Sequence, residues 1–215
     1  MNYSREQIAY ILCSYLDQHY ANAICSLNYK NPLQLLIATI LSAQCTDDRV
    51  NKVTALLFEK YKGIQDFANA DLSELMDDVK QTGFFRNKAN NIKKLANIVL
   101  TNYGGQVPDS LEELIKLPGV GRKTANVVLG NCFNKPGVVV DTHVQRIVKR
   151  LKLVHSSDPV KIEFEIMELV ENYNWTKWSH QMIAFGRSIC TAKAPKCFHC
   201  DINYVCDYYK KMQIS

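Results

Sequence analysis

The apolar residues of this chain recur almost everywhere with the period of a helix, which restricts the fold before any other feature is weighed. Asn31-Pro32 reads as an N-cap and first helical residue, and Leu33, Leu36, Ile37, Ile40 and Leu41 follow at i, i+3, i+4, i+7 and i+8. Proline suits that position because its missing N–H is one the first turn never uses. Asp71-x-x-Glu74 and Ser110-x-x-Glu113 have the spacing of capping boxes ahead of short helices. A longer helix is expected from Asn87 through Ala89, Ile92, Leu95, Ala96 and Val99, ending at Tyr103-Gly104-Gly105. Asp158-Pro159 opens another that carries Ile162, Ile166, Leu169 and Val170. Only Val138-Val139-Val140 reads as a strand, and it is too short to build a sheet. The expected fold is all-α.

A chain of 215 residues suits one medium domain or two small ones, and either can bury a core. The helical pattern breaks at Asn134-Lys135-Pro136-Gly137, which is the expected domain junction. The net charge of +5 fits a polyanionic partner without the excess of a basic tail. No run of about 18 apolar residues is present. The segment Met1-Asn2-Tyr3-Ser4-Arg5-Glu6 also lacks an apolar signal core. A soluble, intracellular protein with no membrane partner is expected.

Two segments carry chemistry. Leu117-Pro118-Gly119-Val120-Gly121-Arg122-Lys123-Thr124-Ala125 is a turn opening onto a helix, with a lysine in that helix's first turn. Gly119 and Gly121 permit positive φ and a close backbone approach. The unpaired N–H groups and positive dipole end of the helix behind them suit a phosphate. Eighteen residues beyond Lys123, Val140-Asp141-Thr142-His143 places a carboxylate at the start of the next helical stretch. Taken alone, Asp141 reads first as an N-cap. An amine, a carboxylate and a phosphate-gripping turn together point to chemistry on a nucleic acid.

The eight cysteines fall into two groups. Cys13, Cys25, Cys45 and Cys132 lie in apolar helical surroundings and are expected to be small buried hydrophobes. Cys190, Cys197, Cys200 and Cys206 form C-x6-C-x2-C-x5-C, four thiols within 17 residues. They suit either tetrahedral zinc or a cubane iron–sulfur cluster, both of which take four cysteines. One C-x2-C pair instead of two tips the balance slightly to the cluster, and either metal would serve to fix a tail too short to pack a core. Lys193 and Lys196 lie between the first two ligands, where they meet either solvent or DNA phosphates.

With these elements in this order, the chain resembles the endonuclease III family of DNA glycosylases, within the helix-hairpin-helix superfamily. Leu41-Ser42-Ala43-Gln44 with Thr46-Asp47 resembles the family's early helix motif, and residues 117–125 its hairpin. Residues 140–144 resemble its catalytic-aspartate segment, and the four C-terminal cysteines its cluster ligands. The resemblance implies a [4Fe–4S] cluster on Cys190, Cys197, Cys200 and Cys206. It also implies two helical domains flanking a DNA-binding cleft: a six-helix domain over 25–135 with the hairpin, and a cluster domain over 1–24 and 136–215. Lys123 is then the nucleophile and Asp141 its partner. Gly119, Val120, Gly121 and Arg122 hold phosphate, Gln44 fills the gap left by a flipped base, and Phe84 is the candidate wedge. Phe84 and Phe85 also admit the reading of core residues closing a turn. His143 receives only a supporting hydrogen bond.

The activity implied is removal of oxidised pyrimidines from duplex DNA, with strand cleavage 3′ to the abasic site, by a monomer in the cytoplasm on nucleoid DNA. Two rivals remain: a mismatch glycosylase of the same superfamily that uses water, and a non-catalytic DNA-binding module. Lys123 and Gln44 disfavour the adenine-specific relatives, and Asp141 with Lys123 disfavours the module.

Overall fold

The computed structural model describes residues 3–170 and 174–214. Regular structure among them is entirely helical, and none of the helices is long and apolar enough to cross a membrane. The chain divides into two compact units, Cys25–Lys135 and Met1–Ile24 with Pro136–Ser215.

The contiguous unit is organised around α2 (Pro32–Leu41). Asn31 caps it by accepting from Gln34 N at 2.9 Å, and seven consecutive residues from Leu35 to Leu41 are buried. A helix apolar on every side belongs at the centre of its unit. α3 (Asp47–Lys60) packs on α2. α4 (Ile64–Asn69) and α5 (Leu72–Asp78) lie along α6 (Phe85–Asn102), and α7 (Leu111–Leu114) packs on α8 (Arg122–Cys132), which returns to α2.

The two expected capping boxes form only half. Asp71 and Ser110 accept from Glu74 N and Glu113 N, at 2.9 and 3.3 Å. The carboxylates turn elsewhere: Glu74 pairs with Lys60 at 2.8 Å, and Glu113 with Lys116 and the Tyr103 hydroxyl. A lysine within reach competes successfully for a carboxylate that would otherwise fold back on its own cap. α6 starts two residues before Asn87, at Phe85.

The second unit joins two distant stretches of chain. α1 (Arg5–His19) packs on α10 (Pro159–Leu169) and α11 (Trp175–Ser188). α9 (Thr142–Arg150) lies against α11, and α12 (Asp207–Ile214) against α9. The core gathers Leu12 and Leu16 from α1, Ile147 and Val148 from α9, Ile162 and Ile166 from α10, and Met182 and Phe185 from α11. At Gly186 the approach of α9 is close enough to demand glycine, since a Cβ there would lie 2.7 Å from His143 Nδ1. The valines at 138–140 form no strand; Val139 N instead donates to Ser179 Oγ at 2.9 Å.

Candidate active site and metal centre

In the hairpin, Leu117 and Val120 are buried, and Val120 N donates to Leu117 O at 3.1 Å, closing the turn. The two glycines differ in kind. Gly119 has φ +79°, and a Cβ there would meet the Asn91 side chain at 2.9 Å. Gly121 sits at φ −93°, ψ 173°, extended backbone that any residue adopts, so the expectation of positive φ holds for Gly119 alone. What Gly121 contributes is space: a Cβ at that position would have nothing within 4 Å. Gly121 is the N-cap of α8, with no side-chain cap hydrogen bond. Lys123 follows in the first turn, exposed and without a hydrogen bond or ion pair among the described residues. Arg122 is half-buried.

Asp141 caps α9. Its Oδ1 accepts from His143 N and Val144 N, both at 2.8 Å, with the residue itself extended at φ −99°, ψ −173°. The cap engages one carboxylate oxygen twice and leaves Oδ2 outside it. The capping reading is therefore correct, and it leaves the carboxylate half-buried with an oxygen to spare. The His143 ring stands 3.1 Å from Arg146 Nη2, and burial pushes its pKa below the usual imidazole value.

Gln44 and Phe84 both occupy left-handed backbone, at φ 54° and 47°. Among the described residues two other non-glycine residues do so, Asn134 and Lys152, each two residues past a helix end, where such a conformation is routine. Gln44 lies in the turn between α2 and α3, exposed; the early motif spans a turn between two helices instead of lying within one. Phe84 is the N-cap of α6 and 62% exposed, which rules out the core alternative for it. Phe85 is half-buried beside the Arg86 guanidinium. Lys88 was not expected to matter. It is buried, and its ammonium donates to Leu41 O and Thr82 O, each at 2.8 Å. Its signal was present: it stands four residues before Ile92, on the apolar face of α6, where a lysine has no ordinary reason to be.

Cys190, Cys197, Cys200 and Cys206 line one cavity. None of the four is in a disulfide. Burial and mutual proximity push the thiols of Cys197, Cys200 and Cys206 up, Cys200 to about 11. Countering this, the Ile202 amide donates to the Cys200 sulfur, the Tyr208 and Tyr209 amides to that of Cys206, and Arg150 Nη1 stands 3.2 Å from Cys190 Sγ. Crowded sulfurs served by N–H donors fit thiolates neutralised by metal. Among the described residues no three His, Cys, Asp or Glu side chains are grouped as a metal ion would need. Lys193 and Lys196 are exposed on the intervening loop. The other four cysteines are half-buried, less enclosed than expected, with burial pushing Cys13 and Cys132 to about 11.

An all-helical fold carrying a hairpin of this geometry defines a class, and the chain's residues 37–172 match the family described as HhH-GPD superfamily base excision DNA repair protein. The endonuclease III of Synechocystis sp. is 46% identical over 204 residues, 94% of this chain and 93% of that protein. An endonuclease III in a non-covalent complex with DNA has TM-score 0.95 and 42% identity, covering 99% of this chain and 100% of the other. A trapped covalent intermediate of an endonuclease III with DNA has TM-score 0.94 and 43% identity, covering 98% and 99%. The chain belongs to the endonuclease III family, the DNA glycosylases and AP lyases of base excision repair.

Proposed function

We propose that Lys123 is the nucleophile and Asp141 the carboxylate of a glycosylase and AP lyase acting on oxidised pyrimidines in duplex DNA. The observation that carries this reading is Asp141: its Oδ1 is fixed by two amides, so Oδ2 is held at a set position without being consumed by the cap. As the bond from the damaged base to C1′ lengthens, positive charge develops on the sugar, and a fixed carboxylate oxygen stabilises it. The Lys123 amine adds to C1′ as the base leaves with the bonding electron pair, and Asp141 takes the proton the amine must lose. Ring opening gives an imine between Lys123 and C1′. That imine acidifies C2′, loss of a C2′ proton expels the 3′ phosphate, and water then releases the lysine.

Reaching C1′ requires the nucleotide to leave the stack, at a cost of a few kcal/mol that a damaged base reduces. Gln44 and Phe84 fill the vacated space in this reading, and their exposure on strained turns supports it. Gly119, Val120, Gly121 and Arg122 hold a phosphate, and Lys193 and Lys196 add charge contacts. The four cysteines would hold a [4Fe–4S] cluster, which when bound would fix the 190–206 loop that carries all four of them. The enzyme acts as a monomer on nucleoid DNA in the cytoplasm.

The experiment is borohydride reduction during turnover on duplexes carrying single oxidised pyrimidines. A covalent protein–DNA adduct and a 3′-cleaved strand are expected; base release without either would favour the water-using mismatch glycosylase. Iron analysis of the purified protein should give about four irons per chain, and stoichiometric zinc from iron-replete cells would refute the cluster.

A further inference from the structure

Lys88 lies on α6 at 5% exposure, and its ammonium joins two stretches of backbone distant in sequence. Leu41 ends α2 and leads into Ser42-Ala43-Gln44. Thr82 ends a short 3₁₀ turn (Lys80–Thr82) and leads into Gly83-Phe84. The last carbonyls of a helix lack amide partners from their own helix and carry the negative end of its dipole, so one buried amine suits both. Burial pushes the Lys88 pKa down, yet the neutral amine also carries two N–H donors and can hold both carbonyls. The two turns so joined are those that hold Gln44 and Phe84 in left-handed backbone outside any helix-ending role. Such conformations persist only where the surroundings fix them.

We infer that Lys88 is a positioning residue that locks the Gln44 turn and the Phe84 turn to each other, so that both side chains enter a damaged duplex as one rigid unit. This rests on the reading of Gln44 and Phe84 as the residues that fill the gap. Without the tie, each turn relaxes by itself, and the entry of one side chain no longer prepares the entry of the other.

The test compares the full-length holoprotein with its Lys88→Met and Lys88→Gln variants. Glutamine is one atom shorter and keeps N–H donors, so it reaches one carbonyl at a time and guards against a methionine variant that does not fold. In the free protein, amide hydrogen exchange should rise together at 42–46 and 82–86, while α2 and α3 keep the parent's protection. Affinity for a duplex with a tetrahydrofuran abasic analogue should fall about tenfold, while affinity for undamaged duplex stays at the parent's value. On a Gln44→Ala, Phe84→Ala background, Lys88→Gln should cost nothing further, because the side chains it positions are gone. Exchange that rises evenly through Cys25–Lys135, parent-like lesion affinity, or a fully additive loss on that background would overturn the inference. If the double alanine variant itself binds the lesion like the parent, the gap-filling reading fails first, and Lys88 has nothing to position.

Discussion

Helices α8 and α9 begin in opposite ways. Both face the same difficulty: N-terminal N–H groups with no intrahelical partner, at the positive end of a dipole. α9 answers it internally, with Asp141 Oδ1 engaging two amides at 2.8 Å. α8 starts on Gly121, which offers no side chain and leaves open space above it. One helix start brings its own anion and the other leaves room for one from outside, which suits a phosphate. The comparison also explains why a cap and a reactive carboxylate need not be alternatives: a carboxylate has two oxygens, and the cap uses one.

The sharpest way to break this contrast is at Lys123, in the first turn after the uncapped start. Lys123→Gln should abolish borohydride-trapped adduct and strand cleavage while leaving folding and DNA binding intact, since the side chain is exposed and unpartnered. Trapping that persists would assign the chemistry to another amine.

At the capped start, two substitutions separate the two oxygens' duties. Asp141→Asn keeps an acceptor for the His143 and Val144 amides, so thermal stability should hold while base release falls by at least about a hundredfold, some 2.7 kcal/mol. Asp141→Ala should show the same loss of turnover and also cost about 1 kcal/mol of stability, the ordinary value of an N-cap. Single-turnover base release within tenfold of the parent for the asparagine variant would reduce Asp141 to a cap.

The glycines give a smaller, two-part effect. Gly119→Ala forces a left-handed alanine against Asn91 and should destabilise the protein by about 1–3 kcal/mol. Gly121→Ala meets no such obstacle, so its melting temperature should match the parent's. Affinity for damaged and undamaged duplex should fall alike in Gly121→Ala, because a methyl group intrudes where a phosphate would approach and phosphate contacts carry no sequence information. A folded Gly121→Ala protein that binds as tightly as the parent would mean the space above α8 serves no ligand. Smallest of all, neutralising Lys193 or Lys196 should each lower the salt slope of DNA binding by about 0.9 if it touches phosphate. Salt titration beside Gly121→Ala, whose slope should not move, keeps the charge contacts apart from the amide contacts.

Much of this was legible in the sequence because it is local. Asn31, Asp71, Ser110 and Asp158 each cap a helix by accepting from an amide three residues on, an arrangement that spacing alone encodes. The hairpin, the Asp141 cap and the cysteine spacing are equally short-range. What the sequence did not yield depends on partners far away. Glu74 turns to Lys60, fourteen positions back, instead of to its own cap. The side chain that a Cβ at Gly119 would meet belongs to Asn91, on another helix. The periodicity of α6 places Lys88 on the buried face, but its partner there is a carbonyl 47 residues distant, which that periodicity does not name.

The second unit is assembled from chain segments that bracket the first, and this fixes an order of events. Arg5 Nε donates to Leu153 O across 148 positions, and the buried face of α1, with Leu12 and Leu16, packs against α11. On the ribosome, Cys25–Lys135 is complete while α1 still lacks every helix it packs on. For the time taken to synthesise some 150 residues, at about 5–20 residues per second, α1 must carry an apolar stripe with nothing to cover it. A nascent chain in that condition offers a natural hold for a chaperone, and a helix made before the whole of Cys25–Lys135 finds its place only after it.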